Sequence, residues 1–297
     1  MRRSLVTGGA GFLGGHLVRR LRDAGDEVRV LDVAVPVDPV DGARYQRGSV
    51  TDPNAVRSAL QGVERVFHLA GTPELWSADD AEAARVHVEG TRTVLEEAER
   101  AGAARIVHTS TAAILRDFGG RGDPRAASRD EPTLPDPEEV PDGYCRAKVR
   151  SEEAALDAAR GGAPVVVVSP GAPLGPGDRG PTPPSRMLLG FLNGRFPAYM
   201  DGWLSVVDVR DVAGGHLIAA EEGRPGARYV LAGPDLRLGE FLHRLEGLTG
   251  LSMPRLRVPP LLARASARIS ELVADHLTGR SPDATLSGVR IALAPAR

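Results

Sequence analysis

The chain has 297 residues, enough for one large domain or two closely packed lobes. Its formal net charge of -2 and its aromatic content of 4% argue against nucleic acid or anionic lipid as a partner. A single cysteine, Cys145, and seven scattered histidines offer no metal-ligand spacing. Because no apolar run approaches the ~20 residues needed to span a bilayer, we expect a cytoplasmic protein with no membrane partner.

Short apolar runs alternate with amphipathic segments along the first part of the chain. The apolar runs predict strands at residues 4–7, 27–32, 65–70, 105–110 and 164–169. The amphipathic segments predict helices at residues 11–24, 53–60, 81–101 and 144–159. Strands that alternate with helices form a parallel sheet covered on both faces. We therefore predict an α/β fold of the Rossmann type, with a doubly wound parallel sheet.

Two regions interrupt this alternation. Residues 115–143 are rich in Gly, Pro and Asp, and this composition predicts a long surface loop. Residues 170–184 are rich in Pro and Gly and directly follow a predicted strand. Ligands of a doubly wound sheet bind at the carboxyl ends of its strands, where such loops lie.

Five glycines lie within the ten residues of VTGGAGFLGG, Val6–Gly15. Gly9, Gly11 and Gly14 satisfy G-x-G-x-x-G between a predicted strand and a predicted helix, which is the context this motif requires. Small residues there let a pyrophosphate approach the N–H groups at the helix N-terminus. Asp32 ends the second strand, where a carboxylate accepts bonds from ribose hydroxyls and repels a 2′-phosphate. The pattern predicts a dinucleotide site that takes NAD, with NADP less favoured.

The domain organisation follows from these patterns. We predict an NAD-binding Rossmann domain over residues 1–169, completed by a strand, a helix and a strand at about residues 204–233. The remaining segments, 170–203 and 234–297, are predicted to form a smaller C-terminal substrate lobe.

The stretch TGGAGFLG resembles the T-G-x-x-G-x-x-G motif of the extended short-chain dehydrogenase/reductases, the NAD-dependent epimerase/dehydratase family. The resemblance extends from Ser4 to about Gly233. It is most marked toward the dihydroflavonol-reductase and 3β-hydroxysteroid-dehydrogenase branch and toward bacterial hopanoid-associated sugar epimerases. It implies NAD as the cofactor, a small-molecule substrate and a homodimer paired through the predicted helices 81–101 and 144–159.

The resemblance also implies a set of cofactor-binding residues. Ser49 replaces the Asp that the family places beside the adenine, which implies a weaker contact. His87 stands where the family has an Asn, so the role of that Asn is not carried over. The implied cofactor-binding residues are Gly8, Gly11, Phe12, Leu13, Gly14, Asp32, Ser49, Val50, Leu69, Ala70, Gly71, Tyr144, Lys148 and Pro170.

The segment YCRAK places Tyr144 and Lys148 four residues apart, on one face of a helix. A tyrosine with its ordinary pKa of about 10 is a poor acid or base, and a neighbouring ammonium lowers that pKa. Such a pair can carry the proton of an alcohol oxygen during hydride transfer. The resemblance identifies the two as the catalytic pair of the family. It also implies that Thr111 orients the substrate oxygen, with Ser110 as the alternative.

The residues around the predicted substrate site are mostly apolar. Nucleotide-sugar enzymes of the family usually have Arg-x-x-Asn where this chain has Ser169 and Ala172, and Ala172 cannot bind a sugar hydroxyl. We expect Thr111, Ala172, Trp76 and Met187 to contact the substrate. Other candidates for an apolar wall are Leu75, Leu188, Phe191, Tyr199 and Trp203. Apolar residues at helical spacing in 259–277 predict either packing against the lobe or a lid over an apolar substrate.

The sequence therefore predicts an NAD-dependent oxidoreductase. It would transfer a hydride between NAD and a fairly apolar secondary alcohol, ketone or aldehyde. One alternative is a nucleotide-sugar epimerase or dehydratase with an internal redox cycle, which uses the same active residues. The other is a non-catalytic dinucleotide-binding regulator, which the Tyr144/Lys148 pair disfavours.

Overall fold

The computed structural model describes residues 1–76, 79–118, 134–140, 143–279, 281–282 and 284–294. Strands and helices alternate through its first half. They are β1 (Arg3–Thr7), α1 (Phe12–Asp23), β2 (Glu27–Asp32), β3 (Arg44–Arg47), α2 (Pro53–Ala59), β4 (Arg65–His68), α3 (Asp80–Arg100), β5 (Arg105–Thr109), a 3₁₀ turn (Ala112–Leu115), α4 (Gly143–Arg160) and β6 (Val165–Pro170).

The second half mixes short strands with helices. It contains β7 (Ala172–Leu174), α5 (Pro183–Leu192), β8 (Ala198–Tyr199), β9 (Trp203–Asp208), α6 (Val209–Glu222), β10 (Arg228–Leu231), β11 (Asp235–Arg237), α7 (Leu238–Thr249), β12 (Leu256–Arg257), α8 (Pro260–Val273), a π-helical turn (Ala274–Thr278) and α9 (Leu286–Leu293).

Seven parallel strands form the central sheet in the order β10-β6-β5-β4-β1-β2-β3. The strand order reverses between β1 and β4, so the chain segments that leave these two strands diverge and open a crevice. The predicted Rossmann-type doubly wound parallel sheet is confirmed. Of the stretch 204–233, α6 and β10 belong to this layer, whereas β9 pairs with β7 and β11 in a separate sheet.

Alternating side chains of the central strands supply two apolar layers. Leu5 of β1 points to one face and the next residue, Val6, points to the other, as the two-residue period of a strand requires. Each fully buried side chain of this size contributes roughly 1.5–3 kcal/mol through the hydrophobic effect. One layer packs on α2, α3 and α4 and includes Val56, Leu95 and Ala155; the other packs on α1 and α6 and includes Leu17 and Ala213.

The C-terminal segments lie beyond β6 and have a small apolar cluster of their own. Its buried members are Phe191, Tyr199, Leu242 and Met253, contributed by α5, β8, α7 and the segment after α7. Two further small sheets, β11-β9-β7 and β12-β8, connect these helices. This arrangement sets a second wall opposite the carboxyl ends of the central strands.

Parts of some predicted features fall outside the described residues. The loop predicted at 115–143 includes residues 119–133 and 141–142, which lie outside them. Within the described ranges, no helix is both long and apolar enough to cross a lipid bilayer. The same part of the chain holds no group of three His, Cys, Asp or Glu side chains arranged to bind a metal ion.

Candidate active site

A large cleft runs along the carboxyl ends of the central strands. Its volume is about 1600 Å³. It brings together every cofactor-binding residue predicted from the sequence, from the glycine loop after β1 to Pro170 at the end of β6. It also includes Thr111, Ala172 and Met187, whereas Trp76 lies outside it, in a smaller neighbouring cavity of about 340 Å³.

The glycine loop uses its glycines for two different purposes. Gly8 has a φ of 73°, and a Cβ on it would lie 2.8 Å from the backbone nitrogen of Ala70. A Cβ on Gly14 would lie 2.1 Å from the carbonyl oxygen of Gly8. These two positions therefore need glycine to build the turn itself. A Cβ on Gly11 would meet only that same carbonyl oxygen, at 3.4 Å, so the space beside Gly11 is the cleft.

The N-terminus of α1 is suited to a pyrophosphate. Gly11 caps this helix without a side-chain hydrogen bond, and the first turn has no acidic residue. The first N–H groups of a helix have no partner within it, and the helix dipole adds partial positive charge there. A dinucleotide needs room for its pyrophosphate beside the backbone and a helix N-terminus whose partial positive charge is not already neutralised by an acidic side chain. Gly11 and the first turn of α1 meet both needs. The loop therefore fits NAD.

Asp32 lies at the end of β2, beside the glycine loop. Its Oδ2 accepts the N–H of Ala10 at 2.9 Å, and its Oδ1 accepts the N–H of Ala34 at 2.9 Å. These two bonds fix the carboxylate at the wall of the cleft, and each oxygen keeps a lone pair for a ribose hydroxyl. Arg179 also borders the cleft and forms an ion pair with Asp38 at 2.6 Å. Its positive charge is therefore already balanced by a carboxylate.

Ser49 follows β3 and borders the same end of the cleft. Its hydroxyl oxygen lies 2.8 Å from that of Thr51 and accepts the Thr51 N–H at 3.2 Å. These contacts hold the turn that leads to Asp52, the N-cap of α2. The side chain of Ser49 is thus engaged within its own turn.

Tyr144, Lys148 and Thr111 meet in the wall of the cleft. Tyr144 and Lys148 occupy the first two turns of α4, and Thr111 is the N-cap of the 3₁₀ turn after β5, where its hydroxyl accepts the Ala113 N–H at 3.2 Å. Lys148 is buried and donates from Nζ to the carbonyl of Thr109 at 3.1 Å. Burial lowers the pKa of Lys148 to about 8, although Glu152, one turn further along α4, opposes the shift.

Two buried histidines stand next to this group. The ring of His87 packs edge-on against the ring of Tyr144, with 5.7 Å between centroids. Its Nε2 lies 3.2 Å from the carbonyl oxygen of Thr72, which can only accept, so Nε2 carries the proton. His68 is held between the hydroxyls of Thr7 and Thr91, at 2.7 and 2.9 Å. Burial, reinforced by the charge of Lys148, lowers the pKa of both histidines to about 3.

Three polar side chains lie buried near the strand ends without a hydrogen-bond partner among the described residues. Neither ring nitrogen of His108 is bonded, and the hydroxyls of Ser110 and Ser169 are also unbonded. Ser110 borders the cleft, whereas His108 and Ser169 lie behind it. Burial is the main reason why the pKa of His108 falls well below its ordinary value.

The substrate end of the cleft contains an ion pair that the sequence does not reveal. Arg186 of α5 donates from its two terminal nitrogens to the two carboxylate oxygens of Glu74, at 2.8 and 2.6 Å. Trp76, beyond Glu74, donates its indole N–H to Asp275 at 3.0 Å. These bonds join the segment after β4 to the C-terminal elements across the cleft. The partners are more than a hundred residues apart, so no local pattern signals them.

Comparison with known proteins gives the family. Residues 4–232 match the model of the NAD dependent epimerase/dehydratase family. The chain is 37% identical to a putative dihydroflavonol 4-reductase of Synechocystis sp., over 96% of this chain and 83% of the relative. It is 38% identical to sterol demethylase protein B of Methylococcus capsulatus, over 90% of this chain and 81% of the relative.

A solved structure described as gox2253 shares the fold over the whole chain. Its TM-score is 0.80 at 31% identity, over 99% of this chain and 88% of that one. The family match spans the glycine loop, Asp32, Thr111 and the Tyr144/Lys148 pair, all of which meet in one cleft. The chain therefore belongs to the NAD-dependent epimerase/dehydratase family and is an NAD-using oxidoreductase of the extended short-chain dehydrogenase/reductase type.

Proposed function

We propose that the protein transfers a hydride between NAD and a secondary alcohol, ketone or aldehyde carried on a largely apolar substrate. The apolar wall of the cleft carries this proposal. Beyond the catalytic group the cleft is bordered by Ala172, Met187, Phe191, Trp203 and Ile291. Such a wall gains free energy by covering hydrocarbon and offers few partners to the hydroxyls of a sugar. The names of the two relatives, a reductase and a sterol-processing protein, agree with an apolar substrate.

The chemistry divides between the cofactor and three side chains. The glycine loop and Asp32 would hold NAD, which would supply the hydride acceptor or donor. Tyr144 takes the proton from the alcohol oxygen in oxidation and returns it in reduction. The Lys148 ammonium, one turn along α4, would stabilise the tyrosine anion. Thr111 holds the substrate oxygen, because its hydroxyl can donate to that oxygen while accepting from Ala113.

Replacing Tyr144 by Phe tests the mechanism. The ring packing against His87 is kept and only the hydroxyl is lost. We expect turnover to fall by on the order of 10²–10⁴, the usual contribution of a positioned acid or base, while NAD binding survives. Tyr229→Phe, the same change outside the cleft, is the matched control. A panel of apolar ketones, aldehydes and alcohols, followed at the NADH absorbance, supplies the assay. Near-normal turnover by Tyr144→Phe would contradict the mechanism.

The family match favours one alternative, an epimerase or dehydratase that oxidises and re-reduces the same substrate. Such an enzyme has no need to exchange its cofactor in each cycle. It would be purified with NAD bound, and it would convert nucleotide sugars without net change in NADH. Cofactor release on dilution, together with stoichiometric NADH consumption by an apolar carbonyl compound, selects the net oxidoreductase instead.

We also propose that the protein works in the cytoplasm as a homodimer paired through α3 and α4. The single cysteine supports the location, since the chain cannot form an intramolecular disulfide. The two helices lie side by side on one face of the central sheet, and both carry half-buried alanines, such as Ala84 and Ala154, whose small side chains permit close packing.

A further inference from the structure

His87 is a buried histidine of α3 whose ring reaches the active site. The residue is 2% exposed, and its ring borders the cleft. The family pattern has an asparagine at this position, so the roles assigned above do not explain why this chain carries an imidazole. The contacts of the ring offer an explanation.

The loop after β4 fixes the ring of His87. Its Nε2 donates to the carbonyl oxygen of Thr72 at 3.2 Å. A Cβ on Gly71 would overlap Cε1 of the ring and would lie 2.6 Å from Nδ1, so this glycine leaves the room that the imidazole occupies. Gly71 and Thr72 both follow β4 and border the cleft. The loop therefore holds the ring through a hydrogen bond and a close backbone approach.

The ring of His87 also contacts Tyr144 of α4. The two ring centroids are 5.7 Å apart and the ring planes differ by 81°, which is an edge-to-face arrangement that aromatic rings favour. Tyr144 is the second residue of α4. The first N–H groups of a helix have no partner within it, and helix ends fray. A side chain in this first turn therefore depends on contacts outside the helix to keep its place.

Lys148 is fixed independently of Tyr144. It is buried one turn further along α4, and its Nζ donates to the carbonyl of Thr109 at 3.1 Å. The interaction between the ammonium and a tyrosine anion depends on the distance between the two charges. Because Lys148 has its own bond, the position of the Tyr144 ring decides that distance. A group that holds the ring therefore sets the strength of the interaction.

His87 has no charge of its own beside this pair. Burial, reinforced by the charge of Lys148, lowers the pKa of His87 to about 3, and the hydrogen bond to Thr72 only partly opposes the shift. The imidazole is therefore neutral at the pH of any ordinary assay. Its influence on Tyr144 comes through contact and not through protonation.

We propose that His87 is a positioning residue, whose ring is anchored to the loop after β4 and holds the ring of Tyr144 in register with Lys148 and the cleft. The asparagine of the family pattern has no ring and could not make this contact. The effect on turnover rests on the proposed function, because it requires Tyr144 to carry the proton. The support of the Tyr144 ring does not depend on that function.

Three substitutions of His87 separate its ring from its other properties. His87→Phe keeps an aromatic ring, His87→Leu keeps most of the volume without a ring, and His87→Asn introduces the family residue. We expect kcat to fall about ten- to a hundredfold in the Leu and Asn variants, as for a displaced catalytic group, with KM and the Kd for NAD within about twofold. His87→Phe should recover most of this loss. Leu21→Ala, at a buried position of α1 outside the cleft, is the control for lost stability and should keep its kcat.

A spectroscopic measurement follows the position of Tyr144 without any substrate. The chain has four tyrosines, so labelling with ¹³Cζ-tyrosine gives four ring signals, and Tyr144→Phe identifies the one that belongs to Tyr144. We expect this signal to stay in place in His87→Phe and to shift or broaden in His87→Leu and His87→Asn. Leu21→Ala should leave it unchanged. Thermal unfolding shows that each variant is folded.

The proposal is overturned if either kcat or the Tyr144 signal is unchanged in both His87→Leu and His87→Asn. It is also overturned if His87→Phe is as impaired as those two variants, since the ring nitrogens and not the ring would then be responsible. Near-normal turnover by Tyr144→Phe is a different failure, because it contradicts the proposed function. In that case the Tyr144 signal alone decides whether His87 holds the ring.

Discussion

Lys148 is a single residue whose burial lowers the stability of the fold and whose charge serves the proposed chemistry. The chain has 37 lysine and arginine residues, and Lys148 is the only lysine among them. Everywhere else arginine supplies the positive charge. At this position a compact ammonium is buried inside the protein, where it donates to the carbonyl of Thr109. This compositional feature is a signal for the proposed catalytic position that does not depend on any motif.

Burial of that ammonium predicts a stability cost that can be measured. The pKa of Lys148 is about 8 in the folded chain, against about 10.4 in an unfolded one. Between these pH values the unfolded chain binds more protons, so the free energy of unfolding rises with pH across this window and the cost is fully present at pH 7. Lys148→Met should therefore raise the free energy of unfolding at pH 7 by about 1–3 kcal/mol while abolishing turnover. Urea unfolding and the NADH assay check the two effects.

The single lysine also gives a direct control. Labelling with ¹³Cε-lysine yields one side-chain signal, whose titration reports the pKa of Lys148 without assignment. A midpoint above 10, or a destabilised Lys148→Met variant at pH 7, would show that burial of this ammonium carries no such cost.

We propose that Asp32 sets the preference for NAD, and the contacts of its carboxylate decide which substitution tests this. The carboxylate also accepts the N–H groups of Ala10 and Ala34, so Asp32→Ala would disturb the glycine loop as well as the charge. Asp32→Asn keeps an acceptor and removes the charge that repels a 2′-phosphate. We expect this substitution to weaken the binding of NAD and to raise the affinity for NADP relative to that for NAD by about tenfold or more. Titration of both cofactors checks this, and tighter NADP binding by the unchanged protein would refute the assignment.

At the scale of elements, the buried strands and the four helices around the sheet follow from hydrophobic periodicity. The observed boundaries differ from the predicted ones by a residue or two, as with α4, predicted at 144–159 and observed at Gly143–Arg160. β3 has no such signal. Its sequence, RYQR, is polar because it is an edge strand with one neighbour and exposed ends, and such strands do not need an apolar pattern. Four strands of the small C-terminal sheets, β7, β8, β11 and β12, also escape prediction, since strands of two or three residues show no periodicity.

The proposed dimer belongs to the same scale. If α3 and α4 form its interface, a large charged side chain on the outward side of α4 should separate the subunits. We expect light scattering to give twice the chain mass for the unchanged protein at micromolar concentration and a single-chain mass for Ala154→Arg, whose position is half-buried on that helix. Ile218→Ser, on the opposite side of the sheet, should remain dimeric. A single-chain mass for the unchanged protein would refute the pairing.

For the whole molecule, the motifs locate the cofactor half of the cleft better than the substrate half. The glycine loop, Asp32 and the Tyr144/Lys148 pair are local patterns whose chemistry dictates their spacing. Trp76 is predicted in the substrate pocket, but its indole N–H is held by Asp275 and the ring borders a separate cavity. The difference arises because the substrate wall is assembled from segments far apart in sequence.

The buried histidines together determine a property of the whole molecule, namely how its free energy of unfolding changes in acid. His68, His87 and His216 come from different elements, and burial lowers their pKa values to about 3, 3 and 4. An unfolded histidine titrates near 6.5. Between pH 6.5 and 4 the unfolded chain therefore binds protons that the folded chain excludes, and the free energy of unfolding falls as the pH is lowered. Each of the three contributes about 1.4 kcal/mol per pH unit in this window.

His216 allows this acid sensitivity to be dissected. Its Nδ1 donates to the carbonyl of Val212 and its Nε2 accepts from the hydroxyl of Thr109, which ties α6 to β5 with a neutral ring. Urea unfolding between pH 7.5 and 5 should show that His216→Gln lowers stability at neutral pH but flattens the pH dependence by about 1.4 kcal/mol per unit. His243→Gln, the same change at an exposed position, is the matched control. If His216→Gln and the unchanged protein lose stability in parallel as the pH falls, His216 is not among the groups that confer the acid sensitivity.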